Sequence, residues 1–320
     1  MTRFRKILFV DNPDTSQGFC IERAVSLADS QQAELTVLHV AATPRLGIFA
    51  EITGNNSEAV RSRLEAEAMA RLKAQWRDVS RPVQFAVRSG TGFIEIIREV
   101  LEGGFDLVIV ITDGEQAGSS ITASNERHLL RKCPCPVWLM RPMNQTYQSV
   151  VAALDFDPWD ETNNEDTLNR QILDIAAELA LAESAGLTLV HVWAPISERM
   201  ISVFASELST EQIARNIDRE RREREVLLRE LADGLRSRIG KEGYEFIAPR
   251  FHLAQGEPGE RIPAIAQSLG ADLVVMGTVA RTGIPGLIIG NTAETIIDSL
   301  HCSILAVKPD GFESPVRLPD

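Results

Sequence analysis

The run Gly277-Thr278-Val279-Ala280-Arg281-Thr282-Gly283-Ile284-Pro285-Gly286-Leu287-Ile288-Ile289-Gly290-Asn291 carries four glycines and one proline. It follows an apolar stretch of strand length, Asp272-Leu273-Val274-Val275-Met276. From Thr292 the pattern turns helical, with Ile296, Ile297 and Leu300 at three- and four-residue spacing. Glycines between a strand and a helix N-terminus let bare amides close around an anion, and the helix dipole favours negative charge there. Phosphate binding is the chemistry such a loop can perform. A surface turn that needs unusual backbone angles uses the same residues.

Other chemistry is poorly represented. Of the four cysteines (Cys20, Cys133, Cys135, Cys302), only Cys133-Pro134-Cys135 is close in sequence, and no second Cys or His pair completes a zinc-type site. Structural thiols in a reducing compartment are the expectation. The five histidines (His39, His128, His191, His252, His301) have no metal-like spacing. No G-x-x-x-x-G-K-(S/T), H-E-x-x-H or G-x-S-x-G is present, so no catalytic site is expected and any hydrolysis of a bound nucleotide would lack an assignable base.

These residues must be positioned by elements, and the chain of 320 residues suits two domains of roughly 150 residues each. Its 44% apolar and 24% charged composition is that of a globular protein. The net charge of −12 would repel a nucleic-acid backbone or an anionic membrane, so neither is expected as a main partner. No apolar run approaches the length of about 18 residues that a membrane span needs. Met1 to Ile7 enters a strand-like segment with no signal-peptide core, and a cytoplasmic location is expected.

The first half reads as strands at Lys6–Asp11, Leu35–Val40, Val83–Val87, Phe105–Ile111 and Pro136–Met140. Helices are expected over 19–31, 57–76, 92–101 and 124–132. The second half repeats this order. Val150–Asp155 copies the first strand and its terminal aspartate, and Leu187–Val192 copies Leu35–Val40. Ala271–Val275 matches Phe105–Ile109, and Cys302–Val307 matches Cys135–Met140. Correspondences in the same order indicate a duplicated α/β domain with parallel sheets. The expected domains are 1–142 and 149–310, joined by a short polar linker that keeps the halves in contact as an intrachain pseudo-dimer. The tail 310–320 should be irregular. Ser209 to Ile239 is the longest helical pattern, opened by a capping box of Ser209 and Gln212, and its alternating Arg and Glu residues from Arg219 to Glu225 form a solvated face.

Ligands of doubly wound sheets sit beyond the carboxyl ends of the strands. In the second half that edge includes Asp155 and the Gly277–Asn291 loop. Asp155 either accepts hydrogen bonds from a base or ribose, or caps the following helix. His191 either borders the crevice or is a satisfied, partly buried histidine.

Gly277-x-x-Ala280, nine residues, then Gly290-Asn291 resembles the nucleotide loop G-x2-G-x9-G-(S/T) of the universal stress protein family. The full loop, together with Leu129-Leu130-Arg131-Lys132-Cys133-Pro134-Cys135-Pro136-Val137-Trp138 in the first half, is similar to the tandem-domain, E-type branch of that family. The resemblance spans essentially the whole chain. It implies two tandem doubly wound domains, each a five-stranded parallel sheet in order 3-2-1-4-5 with helices on both faces. It implies an ATP site, with Mg if bound, at Asp155, Val192, Met276, Gly277, Val279, Ala280, Gly290, Asn291 and Thr292. It also implies that the last strands of the two halves meet; whether two chains dimerise is left open.

Two departures matter. Ala280 stands where the pattern has glycine, and its methyl disfavours positive φ. Asn291 replaces the Ser or Thr but still donates through its amide. The first half departs further: Ala123 and Ser124 fall opposite Gly290 and Asn291, and the loop Thr112–Ser120 carries Asp113 and Glu115, which repel phosphate. No nucleotide site of the family's type is expected there. The expected function is a stress-response regulator or binding module that takes ATP or another adenine nucleotide in the second half. A ligand-free protein-interaction module, a binder of a non-nucleotide small molecule, and a weak ATPase are the alternatives.

Overall fold

A computed structural model of the chain describes residues 4–13, 17–41, 57–112, 120–142, 146–158, 166–195, 209–278 and 290–319. Runs rich in Val, Ile and Leu become strands with both faces buried, as β-branched side chains pack well on a covered parallel sheet. In chain order the first half has β1 (Lys6–Val10), α1 (Gly18–Gln31), β2 (Glu34–Ala41), α2 (Ser57–Gln75) and β3 (Gln84–Ser89). It continues with α3 (Gly92–Gly103), β4 (Leu107–Ile111), α4 (Ser120–Lys132) and β5 (Val137–Met140). The second half has β6 (Ser149–Leu154), α5 (Asp166–Glu183), β7 (Gly186–Trp193), α6 (Thr210–Ile247) and β8 (Arg250–Gln255). It ends with α7 (Pro258–Ser268), β9 (Leu273–Gly277), α8 (Asn291–Ser299) and β10 (Ser303–Val307).

Contacts divide the chain into two units, whose described residues are 4–142 with 311–319, and 146–278 with 290–310. In the first unit the strands are ordered β3-β2-β1-β4-β5, every pair parallel. In the second they are ordered β8-β7-β6-β9-β10, again all parallel. Numbered within its own half, each sheet runs 3-2-1-4-5. The chain moves one way from the first strand to the third and the other way from the third to the fifth. Right-handed crossovers therefore put the first two helices on one face and the last two on the other. Where the direction reverses, the carboxyl ends of the first and fourth strands flank an open crevice.

The repeat extends to individual hydrogen bonds. The Asp106 carboxylate, just before β4, accepts from the backbone N–H groups of Arg5 and Lys6 at 2.7 and 3.0 Å. The Asp272 carboxylate, just before β9, accepts from those of Gln148 and Ser149 at 2.6 and 3.0 Å. Each aspartate thus fixes where the first strand of its unit enters the sheet. Asp272→Ala should cost the second unit about 2 kcal/mol, because two part-buried amides lose a charged acceptor. A urea midpoint for that unit unchanged from wild type would refute this role.

Three elements of the second half, α5, β8 and α7, went unread in the sequence. Only Ala254 is buried in β8, so this edge strand has no alternating apolar signal. Helix α7 starts with Pro258 in its first turn and also contains Pro263. Helix α6 runs past Ile239 to Ile247, across a break at Gly240 whose φ of 79° and ψ of 166° are not helical. The capping box at its start is present in both directions, Ser209 to the Gln212 amide and Gln212 to the Ser209 amide. No helix among the described residues is long and apolar enough to cross a membrane.

Candidate functional site

At the carboxyl edge of the second unit, β7, β6, β9 and β10 lie side by side, with Leu154 opposite His191, Ala153 opposite Met276, and Gly277 opposite Val307. This register brings Asp155, Val192, Met276 and Gly277 to one end of adjacent strands. The side chains of Val192 and Met276 are buried, so their main chain is what faces the edge. Asp155 is exposed. Its backbone is latched by Asn169 of α5, which accepts from the Asp155 N–H at 3.1 Å and donates to its carbonyl at 2.9 Å.

Gly277 closes β9 against α5. A Cβ there would stand 3.0 Å from Leu168 Cδ2 and 3.7 Å from Ile172 Cδ1. Thr278 follows, buried, and its N–H donates to the Val307 carbonyl at 3.3 Å. The Thr278 carbonyl accepts from the Gly290 N–H at 3.3 Å, which ties the two ends of the glycine-rich loop together. Gly290 is the N-cap of α8, in extended backbone, and among the described residues no side chain caps this helix. Among those residues its first-turn amides therefore have no side-chain acceptor, the arrangement that anion-binding helix starts use. Asn291 and Thr292 are exposed in that turn, with Glu294 close behind. Val279 and Ala280 lie outside the described residues.

Residues the sequence reading missed also converge here. Lys308, directly after β10 and buried, donates to the Thr278 hydroxyl at 2.7 Å. The repeat carried a hint of it, since Arg141 stands in the same place after β5 and Thr112 after β4. Phe156 stacks on His191 with centroids 3.8 Å apart and planes 14° off parallel. His191 is only 1% exposed, and its Nδ1 lies 3.0 Å from the Leu154 carbonyl, so Nδ1 carries the proton. His191 is thus buried and hydrogen-bonded through Nδ1.

The corresponding edge of the first unit is built differently. Asp11, the repeat partner of Asp155, has a side chain with 0% exposure. It accepts from Arg71 of α2 at 2.7 Å, from His39 Nδ1 at 2.9 Å and from Gln17 Nε2 at 3.0 Å. A carboxylate acceptor requires the proton on His39 Nδ1. Burial alone would raise the Asp11 carboxyl, but the hydrogen bonds from His39 and Gln17 and the charge of Arg71 outweigh it and hold the group below the usual carboxylate range. Here the aspartate is consumed by the unit's own side chains. Among the described residues, no group of three His, Cys, Asp or Glu side chains is placed to hold a metal ion.

The two crevices thus share a scaffold and differ in what fills it. The sequence profile of the universal stress protein family matches residues 3–141 and again 147–308. The chain belongs to the universal stress protein family. Universal stress protein E of Escherichia coli strain K12 is 31% identical over 281 residues, which cover 86% of this chain and 80% of that protein. A universal stress protein E homolog of Haemophilus influenzae is 26% identical over 319 residues, 96% of this chain and 98% of its own length. Among solved structures, a putative universal stress protein from Pseudomonas aeruginosa UCBPP-PA14 superposes with a TM-score of 0.63 at 26% identity. That match covers 97% of this chain and 95% of the other.

Proposed function

We propose that this universal stress protein is a binding module of a stress response, not an enzyme, and that its second unit takes an adenine nucleotide, with Mg2+ when phosphates are bound. The observation that carries this reading is the meeting, at one sheet edge, of exposed Asp155 with the N-terminus of α8, which no side chain among the described residues caps. A carboxylate accepts from an amino or hydroxyl group of the nucleoside, and the α8 amides donate to the phosphate oxygens. Asp155, Gly290, Asn291 and Thr292 make these contacts through side chain or amide, and Val192 and Met276 contribute main chain. Gly277, Val279 and Ala280 complete the set that the family pattern assigns. Ligand-linked stability, not turnover, is the output.

A second reading is a ligand-free interaction module, or a binder of another small molecule. The Phe156–His191 stack favours it, since it covers surface at the strand ends that a base would use, and Glu294 places negative charge in the first turn of α8. Thermal unfolding with and without Mg-ATP separates the readings. At 100 times the dissociation constant a nucleotide adds about 2.7 kcal/mol to the unit that binds it, a shift of several degrees. Gly290→Trp should abolish the shift, because its bulk fills the space before α8 while its extended backbone accepts any residue. No shift in wild type would sink the nucleotide reading.

A further inference from the structure

Cys133 and Cys135 lie at the turn between α4 and β5, away from the edges described above. The Cys133 N–H donates to the Leu129 carbonyl at 2.9 Å, extending the last turn of α4, and β5 begins two residues after Cys135. Their sulfurs are 3.6 Å apart, one thiol donating to the other. Cys133 is 0% exposed and Cys135 7%. A disulfide needs a sulfur–sulfur separation of about 2 Å, so the two sulfurs must approach by roughly 1.5 Å more. The hydrogen bond from Cys133 and then burial push the Cys135 thiol up, so thiolate is scarce and reaction with an oxidant is slow.

We propose that Cys133 and Cys135 are a modification site, an oxidisable dithiol that a small hydroperoxide converts to an intrachain disulfide. One sulfur, as thiolate, attacks a peroxide oxygen. The O–O bond breaks, hydroxide or alkoxide leaves and is protonated, and a sulfenic acid forms. The second sulfur then attacks the first, the S–O bond breaks, and hydroxide leaves as water with the second thiol's proton. The sulfurs lose two electrons and the peroxide gains them; hydrogen peroxide ends as two waters. A species this small suits a pair with so little exposure. The turn that would tighten is tied to β4: the Val108 N–H donates to the Pro136 carbonyl at 3.0 Å, and the Thr112 N–H to the Met140 carbonyl at 2.9 Å. Oxidation would therefore pull on the amino end of β4, beside Val108.

The test uses the full chain carrying Cys20→Ser and Cys302→Ser, treated folded with hydrogen peroxide, then unfolded, alkylated and weighed intact. A loss of about 2 Da with no alkylation, reversed by dithiothreitol, is expected. Adding Cys133→Ser should abolish that loss. Wild-type protein treated in parallel and mapped by peptide gives the same readout if the double variant folds poorly. The proposal is overturned if the pair still takes two alkyl groups after treatment that oxidises the partly exposed Cys302 of wild type, or if it gains oxygen instead of losing hydrogen.

Discussion

Asp11→Ala is expected to cost the first unit about 3 kcal/mol, whereas Asp155→Ala, at the same place in the repeat, should cost the second unit less than about 1 kcal/mol. The difference comes from environment. Removing the Asp11 carboxylate takes the acceptor from the His39 N–H and the Arg71 guanidinium, while the Gln17 amide keeps its bond to the Asn12 carbonyl. Arg71 is partly exposed and can turn to water, which keeps the cost at the lower end for a buried pair. Asp155 is exposed, and its contacts with Asn169 run through main-chain atoms that alanine retains. Hydrogen exchange of β1 and β6 amides reads the two units separately. The Asp11 contribution also depends on pH. Because its folded pKa lies below the ordinary 3.8, the folded unit binds fewer protons than the unfolded one. That stability is complete above about pH 4 and is lost as pH falls through the lower folded value. Asp11→Asn should flatten this part of the acid profile; equal losses at positions 11 and 155 would refute the division of roles.

Gly277→Val should destabilise the second unit by about 2 kcal/mol with no ligand present. Even a single added carbon would meet Leu168 Cδ2 at 3.0 Å, and the two γ methyls have only the α5 side chains to enter. Thermal unfolding in nucleotide-free buffer reads the effect directly, and an unchanged midpoint would show that α5 yields without cost. The consequence for any binding study is practical. A Gly277 variant that fails to respond to nucleotide mixes lost packing with lost binding, while Gly290 and Asn291 report on the helix start itself.

Much of this architecture was legible because it rests on signals a chain cannot hide. Val108-Ile109-Val110-Ile111 and Leu187-Thr188-Leu189-Val190 can only be buried strands, and their recurrence in order revealed the duplication. Capping by Ser209 and Gln212 is local chemistry and appeared as read. What escaped was set by tertiary context. The edge strand β8 is mostly uncovered and so lacks a pattern. The separate fates of Asp11 and Asp155 depend on Arg71, sixty residues from Asp11 and brought to it only by the packing of α2. Lys308 and Thr278 are likewise thirty residues apart and meet because β9 and β10 are neighbours. The glycines of the loop pointed to the carboxyl end of β9, yet Gly277 also answers to Leu168, a demand that sequence spacing does not carry.

The contrast between Asp11 and Asp155 bears on how a duplicated chain can change. When identical subunits assemble, one coding change alters every crevice at once, and loss of a ligand contact is total. In a covalent tandem the same change falls on one copy. In the first unit the edge carboxylate of Asp11 is held in an ion pair with Arg71, while Asp155 of the second unit is exposed. Duplication of this kind separates the selection for a durable scaffold from the selection for a receptive one, and lets a single polypeptide carry both.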